Sequence, residues 1–227
     1  MRAGKTIVVL PAYNEAKVIG QVIKDIRKEG FKDIIVIDDC SSDRTAEIAG
    51  KAGADVYSLP VNMGVGTASL TGIDAAEERN AAIIVTLDAD GQHDVKDIRK
   101  VIAPILDGKA DIVIGSRLIN PPKGMPWIRK VGNFGLNLLT FFVAGKWFSD
   151  TQSGFRAYRK GVMPKLDLAG RTYEICSEIL VDAARKRMRI IEVPIRVIYT
   201  KYSLSKGQSV TKGFITFLRL LRSRLFR

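Results

Sequence analysis

The fold is decided by the stretch Ala81-Ala-Ile-Ile-Val-Thr-Leu-Asp-Ala-Asp-Gly-Gln-His93. The apolar and β-favouring run from Ala81 to Leu87 predicts a buried strand, and Asp88 and Asp90 follow at its carboxyl end. Residues i and i+2 of an extended chain share a face, so both carboxylates can reach one cation. Carboxylate oxygens with open coordination positions suit Mg²⁺ or Mn²⁺, which often also hold substrate phosphates. The alternative is a solvated turn in which an aspartate caps the next helix.

A second acidic cluster ends an earlier strand in the same way. Asp38-Asp-Cys-Ser-Ser-Asp43 follows the apolar run Ile34–Ile37, and Asp43 is placed to cap the next helix. Strands are predicted at 5–10, 34–37, 56–59, 81–87 and 111–115, and helices at 15–29, 43–52, 67–79 and 95–106. This alternation predicts an α/β fold with a single Rossmann-like, mostly parallel sheet covered by helices. Such sheets bind ligands at the carboxyl ends of their strands, so both clusters are expected at one edge.

Length and composition favour an intracellular domain with a short appendage. The 227 residues predict one domain at 1–208 and a separate C-terminal helix at 209–227. Two cysteines without a C-x-x-C motif argue against a disulfide framework or a zinc site. A strand is predicted within the first few residues, and no apolar run has the length of a bilayer span. We therefore expect neither a signal peptide nor a transmembrane helix.

The positive charge lies in the second half of the chain. Residues 1–100 carry 13 Lys/Arg and 16 Asp/Glu, whereas residues 101–227 carry 23 and 8, and the whole chain has a net charge of +12. The basic half has no helix-turn-helix, zinc-finger or RNP-like pattern, so nucleic acid is not the expected partner. Anionic lipid or a phosphorylated acceptor explains the asymmetry at least as well. A basic nucleic-acid-binding or scaffold protein remains the non-enzymatic alternative.

The common nucleotide and hydrolase motifs are missing. There is no G-x-x-x-x-G-K-[ST] loop, and no G-x-G-x-x-G follows the first strand. The chain also lacks G-x-S-x-G, and His93 is its only histidine, which argues against a Ser-His-Asp hydrolase.

A set of motifs in fixed order resembles the inverting family 2 glycosyltransferases of GT-A fold, most closely the dolichyl-phosphate mannose synthase group. The resemblance covers roughly residues 5–210. The motifs are Pro11-Ala-Tyr-Asn-Glu15, Asp38-Asp-x-Ser-x-Asp43, Asn62-x-Gly-x-Gly66, Asp88-Ala-Asp-Gly-Gln-His93, Gly115-Ser-Arg117, Asp150-x-x-Ser-Gly-Phe-Arg156 and Glu192-Val-Pro-Ile195. Two departures are Val65 and Thr67, which stand where this family often has a basic residue, and the absent Q-x-x-R-W signature.

The resemblance implies an activity and its partners. It implies metal-dependent, inverting transfer of a hexose, first of all mannose from GDP-mannose, to dolichyl or polyprenyl phosphate. The enzyme would act as a peripheral protein at the cytoplasmic membrane face, and the resemblance allows a membrane-anchoring partner subunit. The alternatives are a UDP-sugar donor (glucose or N-acetylglucosamine) and a glycan hydroxyl as acceptor.

The resemblance also implies roles for individual residues. The metal, Mg²⁺ or Mn²⁺, would be held by Asp88, Asp90 and Gln92, and the catalytic residues would be Asp90 and Arg117. The donor would contact Pro11, Tyr13, Glu15, Asp38, Asp39, Asp88, Lys201 and Lys206. The acceptor phosphate, already an oxyanion, would need cations rather than a general base. Its expected contacts are Arg117, Arg129, Ser153 and Arg156.

Two apolar segments of the second half allow a membrane interpretation. The run Phe134–Phe148 is too short to span a bilayer, and it predicts either a buried core helix or a contact with the prenyl chain. In the tail, apolar side chains recur at spacings of three and four among arginines and lysines, with no acid from Val210 to Arg227. These apolar side chains are Phe214, Phe217, Leu218, Leu221 and Leu225. The pattern predicts an interfacial membrane helix, or a stripe packed on the domain or on a partner.

Overall fold

The computed structural model describes residues 4–121, 127–168 and 174–198. The strands are β1 (Thr6–Ala12), β2 (Ile34–Asp38), β3 (Asp55–Ser58), β4 (Ile83–Thr86), β5 (Ile112–Ser116), β6 (Arg156–Arg159) and β7 (Ile190–Pro194). The helices are α1 (Ile19–Lys28), α2 (Thr45–Lys51), α3 (Val65–Glu78), α4 (Ile98–Leu106), α5 (Trp127–Ala144) and α6 (Glu174–Arg185). Short 3₁₀ turns lie at Val95–Asp97 and Met163–Lys165.

The strands form one sheet in the order β3-β2-β1-β4-β6-β5-β7. Four pairs of neighbouring strands are parallel: β1 with β2, β1 with β4, β2 with β3, and β5 with β7. Strand β6 lies between β4 and β5 and is antiparallel to both. The predicted α/β fold with a mostly parallel sheet is confirmed. Because β6 is reversed, its amino end lies beside the carboxyl ends of its neighbours, which places the residues before Arg156 at the binding edge.

Helices cover both faces of the sheet, so its central strands are buried on both sides. In β1, Val8 and Leu10 face the cluster that contains residues of α1 and α4. Ile7 and Val9, the alternating positions, face the cluster that contains residues of α3 and α6. This period of two explains why the strand sequences are continuously apolar and not alternating.

Two predicted helix starts lie outside the observed helices for local reasons. α1 begins at Ile19 and not at Glu15, because Glu15 first turns towards the β2 loop, where its N–H donates to Thr45 Oγ1 at 2.8 Å. α2 begins at Thr45, after the N-cap residue Arg44. Asp43 still stabilises this first turn, since its Oδ1 accepts the N–H of Thr45 at 2.9 Å.

Of the two interpretations of Phe134–Phe148, the buried core helix holds for only one side of α5. Leu136 and Leu139 of α5 are buried, but Phe134 and Phe142 are 57% and 61% exposed. An amphipathic helix on the surface gives this pattern, because only the side that packs on the domain is removed from water. In the described part of the chain, no helix is long and apolar enough to cross a membrane. The predicted C-terminal helix at 209–227 lies outside the described residues.

Candidate active site

The carboxyl ends of β1, β2, β4 and β5 gather four of the predicted motifs at one edge. β1 ends at Ala12, β2 at Asp38, β4 at Thr86 and β5 at Ser116. Each motif begins within two residues of one of these ends, and parallel strands place the loops that follow them on the same side of the sheet. The edge therefore carries two acidic clusters and Arg117.

Asp88 and Asp90 lie in the turn after β4 and have different partners. Asp88 Oδ2 lies 3.1 Å from His93 Nε2, and the Asp88 side chain is 39% exposed. Asp90 Oδ1 accepts the backbone N–H of Gln92 at 2.9 Å, and its Oδ2 also contacts the Gln92 side-chain amide. The turn thus brings the three predicted metal ligands together.

The two carboxyl groups are shifted in opposite directions. Burial acts to raise the pKa of Asp88, but the hydrogen bond and charge of His93, with charge from Arg117 and Arg156, outweigh it, and the pKa lies below its ordinary value. The pKa of Asp90 is raised by burial and by the negative charge of Asp88, against the bonds from Gln92. A carboxyl group with a lowered pKa thus lies beside one with a raised pKa, a pattern typical of functional sites.

His93 and Gly154 fix the position of Asp88. The His93 ring is buried and meets the ring of Phe155 edge-on, with centroids 5.4 Å apart. On the other side, a Cβ built on Gly154 would lie 2.9 Å from Asp88 Cγ and closer still to its Oδ1. The absence of a side chain at position 154 is therefore required for Asp88 to lie where it does.

Asp38 and Asp39 are adjacent in the chain but have different hydrogen-bond partners. Asp39 is buried, and its Oδ1 and Oδ2 accept the N–H groups of Met63 at 2.7 Å and Gly64 at 2.9 Å. Asp39 therefore holds the glycine turn that leads into α3. Asp38 is also buried; its Oδ2 accepts the Ser41 N–H at 3.4 Å, and its Oδ1 has no hydrogen-bond partner within the described structure. A buried oxygen without a partner costs free energy unless a ligand satisfies it.

The loop after β1 presents one aromatic ring to solvent. Tyr13 is 48% exposed, whereas Pro11 and Glu15 on either side are buried. Asn14 adopts a φ of 55° and ties the loop to the β2 loop, since its Oδ1 accepts the Ser42 N–H at 2.8 Å. The ring of Tyr13 is thus held next to the Asp38 cluster by a fixed backbone.

Arg117 is paired with a buried acid that sequence reasoning gave no role. Its Nε and Nη2 donate to Asp150 Oδ2 and Oδ1, both at 2.7 Å, and its backbone N–H donates to Oδ2 at 3.0 Å. Burial acts to raise the pKa of Asp150, but the charge and bonds of Arg117, with the charge of Arg156, lower it. The Arg117 side chain keeps 23% of its surface exposed. The motif that begins at Asp150 marks this residue in the sequence but does not indicate its partner.

Glu192 supports the same region from β7. Its carboxylate accepts the N–H of Ser149 at 2.9 and 3.0 Å, the Ser149 hydroxyl at 2.8 Å and the N–H of Asp150 at 3.3 Å. These bonds fix the turn that carries Asp150, and through it the orientation of Arg117.

Arg156 and Ser153, predicted acceptor contacts, lie inside the protein. Arg156 is 1% exposed, and its guanidinium donates to the carbonyl oxygens of Ser153 at 2.9 Å, Cys176 at 2.8 Å and Thr151 at 2.7 Å. Ser153 is fully buried. In this arrangement both residues shape the loop before β6. The side chains of Arg129, Lys201 and Lys206, the other predicted phosphate contacts, lie outside the described residues.

The chemistry of the turn after β4 fits a hard divalent cation. Asp88 and Asp90 supply carboxylate oxygens and Gln92 an amide oxygen, the donors that Mg²⁺ and Mn²⁺ prefer. The repulsion that raises the pKa of Asp90 is the interaction that a cation between the carboxylates would cancel. Among the described residues, no group of three or more His, Cys, Asp and Glu side chains is clustered to hold a metal ion.

Comparison with known proteins identifies the family. Residues 7–166 match the model of Glycosyl transferase family 2. The chain belongs to this family. It is a glycosyltransferase, and the alternative of a non-enzymatic scaffold is wrong. The family 2 resemblance drawn from the ordered motifs is confirmed.

Individual relatives extend the similarity over most of the chain. It is 40% identical over 238 residues to the UDP-N-acetylglucosamine–dolichyl-phosphate N-acetylglucosaminyltransferase of Methanococcus voltae, covering 96% of this chain and 95% of that protein. It is 29% identical over 214 residues to the polyprenol monophosphomannose synthase of Mycolicibacterium smegmatis, covering 89% and 80%. Glucosyl-3-phosphoglycerate synthase from Mycobacterium tuberculosis superposes with a TM-score of 0.72 at 22% identity, covering 96% and 79%. This match confirms the GT-A fold.

Proposed function

We propose that this glycosyltransferase transfers a sugar from a nucleotide donor to the phosphate of a polyprenyl or dolichyl lipid, with inversion at the anomeric carbon. A lipid phosphate oxygen would bond to the anomeric carbon, while the bond from that carbon to the donor diphosphate breaks and the nucleoside diphosphate leaves. The observation that carries the proposal is the pair Asp88 and Asp90, which lies at the binding edge with opposed pKa shifts. The acceptor class is supported by the names of the two relatives given above.

The donor has two leading candidates. The motifs favour mannose from GDP-mannose, and this preference stays a prediction. The Methanococcus voltae relative, which is 40% identical, is named for UDP-N-acetylglucosamine. We therefore consider UDP-N-acetylglucosamine together with GDP-mannose, and it is the first donor to test. UDP-glucose is the third candidate.

Donor binding is assigned to the β1, β2 and β4 loops. Asp88, Asp90 and Gln92 would hold Mg²⁺ or Mn²⁺, which when bound neutralises charge on the leaving diphosphate. The unpartnered Oδ1 of Asp38 and the exposed ring of Tyr13 would meet the nucleoside. Pro11 and Glu15 would fix the Tyr13 loop, and Asp39 would fix the glycine turn; these two loops bound the space for the donor.

Acceptor binding needs positive charge and no base. A phosphate monoester is ionised near neutral pH, so no proton has to be removed before it attacks. Arg117 is our first candidate for the phosphate, because Asp150 holds its guanidinium in one orientation while part of it stays exposed. Arg129, Lys201 and Lys206 are the further candidates. Since Arg156 and Ser153 are buried, we assign them to support of this loop.

The location follows from the acceptor. We propose that residues 1–208 form the catalytic domain at the cytoplasmic membrane face, and that 209–227 form a cationic amphipathic helix in the headgroup layer. The absence of acids between Val210 and Arg227 supports this, because each basic residue near an anionic surface contributes about 1 kcal/mol. A membrane-anchoring partner subunit is compatible with this arrangement.

The test is a matrix of donors and acceptors. The full chain is incubated with Mn²⁺ and each of UDP-N-acetylglucosamine, GDP-mannose and UDP-glucose, and the acceptor is dolichyl phosphate, dolichol or a soluble oligosaccharide. Mass spectrometry should find a glycosyl phosphoryl lipid with one donor and only with the phosphorylated lipid. Sugar transfer to a glycan hydroxyl, with none to dolichyl phosphate under any donor, would overturn the proposal in favour of the glycan-acceptor alternative.

A further inference from the structure

Five large apolar side chains form an exposed patch on α5 and the turn that follows it. We call this patch the aromatic face; it consists of Phe134, Leu138, Phe141, Phe142 and Trp147. Phe134, Phe142 and Trp147 are 57%, 61% and 45% exposed. The Trp147 ring lies 6.0 Å from that of Phe134 and 6.1 Å from that of Phe141, which in turn lies 5.7 Å from that of Phe142. The rings are therefore continuous and do not occur as scattered surface residues.

A buried residue of α5 beside the aromatic face is fixed to the candidate active site. Asn137 is buried; its Nδ2 donates to the Ser149 carbonyl at 2.6 Å, and its Oδ1 accepts the N–H and hydroxyl of Thr151 at 3.1 and 2.8 Å. Between these two residues lies Asp150, the partner of Arg117. The aromatic face is thus held at a set position relative to the proposed acceptor cation.

The segment of sequence that contains the aromatic face carries charge of one sign. No acid occurs in the sequence between Asp111 and Asp150. The same interval contains five basic residues, Arg117, Lys123, Arg129, Lys130 and Lys146. A second copy of this chain docked through the same face would bring two such segments together, and like charges would oppose it. An anionic lipid surface complements both the charge and the apolar rings.

We infer that the aromatic face docks the enzyme on an anionic bilayer, with the rings in the interfacial layer and the exposed Lys146, next to Trp147, near the headgroups. This inference rests on the proposed lipid acceptor. Aromatic rings favour that layer, where one side of each ring meets hydrocarbon and the other stays near water. Because Asn137 joins α5 to the Ser149–Thr151 turn, docking sets the height of the Asp150–Arg117 pair above the membrane. The lipid phosphate, which lies in the headgroup layer, would then meet Arg117 without leaving the bilayer.

Flotation with vesicles tests the contact in the full chain. Vesicles of phosphatidylcholine with phosphatidylglycerol, or of phosphatidylcholine alone, are mixed with the wild type and with the double variant Phe134→Ser/Phe142→Ser. The double variant should bind the anionic vesicles at least about tenfold more weakly, because two ring contacts with lipid are lost. Leu106→Ser is the matched control, since Leu106 is 45% exposed on α4, away from the aromatic face, and its loss should change nothing.

Tryptophan fluorescence tests the same contact without removing it. The chain has two tryptophans, so Trp127→Phe leaves Trp147 as the single reporter. On anionic vesicles its emission should shift to the blue and be quenched by brominated lipid. Flotation without such quenching would overturn the inference and assign binding to another part of the chain. Unchanged flotation of the double variant would also overturn the inference. So would the finding that the wild type is a dimer and the double variant a monomer, because the aromatic face would then be a dimer interface.

A soluble acceptor separates this inference from the proposed function. With a short, water-soluble prenyl phosphate such as citronellyl phosphate, the double variant should retain wild-type transfer, while transfer to dolichyl phosphate in vesicles should fall about tenfold. Equal loss on both acceptors would place the rings in catalysis and reject the docking role. If the wild type transfers sugar to neither acceptor, the proposed function fails. The flotation experiment still tests whether the aromatic face binds the bilayer, because it does not depend on sugar transfer.

Discussion

Two groups of acidic residues lie at the same edge of the sheet but differ in their hydrogen-bond and ion-pair partners. The tip acids are Asp88 and Asp90, which follow β4 directly. The inner acids are Asp150, in the loop between α5 and β6, and Glu192, on β7. The Asp150 carboxylate accepts three bonds from Arg117, and Glu192 is bonded to the Ser149–Asp150 turn. The tip acids have no arginine or lysine bonded to them among the described residues, and Asp90 is opposed by the charge of Asp88.

This difference separates acids that build the site from acids that can act in it. A carboxylate satisfied by protein donors gains nothing from a ligand, because the ligand would have to replace bonds already made. A carboxylate held beside another of the same charge gains whenever a cation arrives. The inner acids therefore keep Arg117 in place, and the tip acids remain as the candidates for metal binding.

The largest effect should come from neutralising one tip acid. Asp90→Asn should lower sugar transfer by at least about a thousandfold, equivalent to about 4 kcal/mol, because a charged ligand is lost and the charge on the leaving diphosphate is less well balanced. Thermal melting should be unchanged, and Mn²⁺ affinity by calorimetry should fall. Asp107→Asn, the same change at an exposed residue paired with Lys109, is the control. Wild-type turnover of Asp90→Asn at limiting Mn²⁺ would place the metal elsewhere.

Removing the partner of an inner acid should act on stability as well as on catalysis. Arg117→Ala leaves the fully buried Asp150 without its guanidinium, and we expect a loss of about 3 kcal/mol in the free energy of unfolding. The loss is at the low end for a broken buried pair because the backbone N–H at position 117 remains bonded to Asp150. Acceptor KM should rise with little change in nucleotide affinity. Loss of nucleotide binding equal to the loss of acceptor use would contradict the acceptor assignment.

The same pair predicts a dependence on pH. The pKa of Asp150 is lowered in the folded protein, so its contribution to stability is present above the unfolded value of about 4 and is lost as the pH falls through the folded value. The difference in unfolding free energy between wild type and Arg117→Ala should therefore be full at pH 7 and smaller at pH 3, because protonation of Asp150 in the variant removes the buried charge that lacks its guanidinium. Urea unfolding at several pH values measures it. A difference that stays constant from pH 7 to pH 3 would mean that Asp150 is not the group involved.

The tip acids were predictable from sequence because their signals are local. An apolar run followed at once by two acids one residue apart needs only the geometry of one strand, and the strands of the first half were placed to within a few residues for the same reason. The metal ligand set Asp88, Asp90 and Gln92 falls within one turn. Their assignment stays a prediction about chemistry, but their proximity is given by the structure.

The inner acids were not predictable because their partners are distant in sequence. Arg117 and Asp150 are 33 residues apart, and Ser149 and Glu192 are 43 apart. No period in the sequence reports that β6 inserts antiparallel between β4 and β5, which is what buries Arg156. The resemblance therefore assigned Arg156 to the acceptor phosphate, whereas three of its guanidinium N–H groups donate to backbone carbonyls.

Gly154 offers a way to disturb a tip acid without changing it. A Cβ at this position would lie 2.9 Å from Asp88 Cγ, so Gly154→Ala should push the carboxylate aside and weaken Mn²⁺ binding about ten- to a hundredfold. Gly135→Ala is the matched control, because nothing lies within 4 Å of a Cβ there. Calorimetry measures affinity and circular dichroism the fold. Unchanged Mn²⁺ affinity in a folded Gly154→Ala protein would show that the position of Asp88 does not matter for the metal.

The smallest effect should come from removing one hydroxyl group that is hydrogen-bonded to an inner acid. Ser149→Ala removes a hydroxyl that lies 2.8 Å from Glu192 Oε1 and 2.6 Å from Ser116 Oγ, but the Ser149 N–H keeps its bonds to the same carboxylate. We expect a loss of about 1 kcal/mol in the free energy of unfolding, the usual effect of one hydrogen bond, with Mn²⁺ affinity unchanged. Urea unfolding measures the first and calorimetry the second, with Ser58→Ala at an exposed position of β3 as the control. Because the inner acids orient Arg117 and the tip acids are held separately by His93 and Gly154, the two groups should respond independently. A change of tenfold or more in Mn²⁺ affinity on Ser149→Ala would contradict this separation and show that both groups of acids form one connected site.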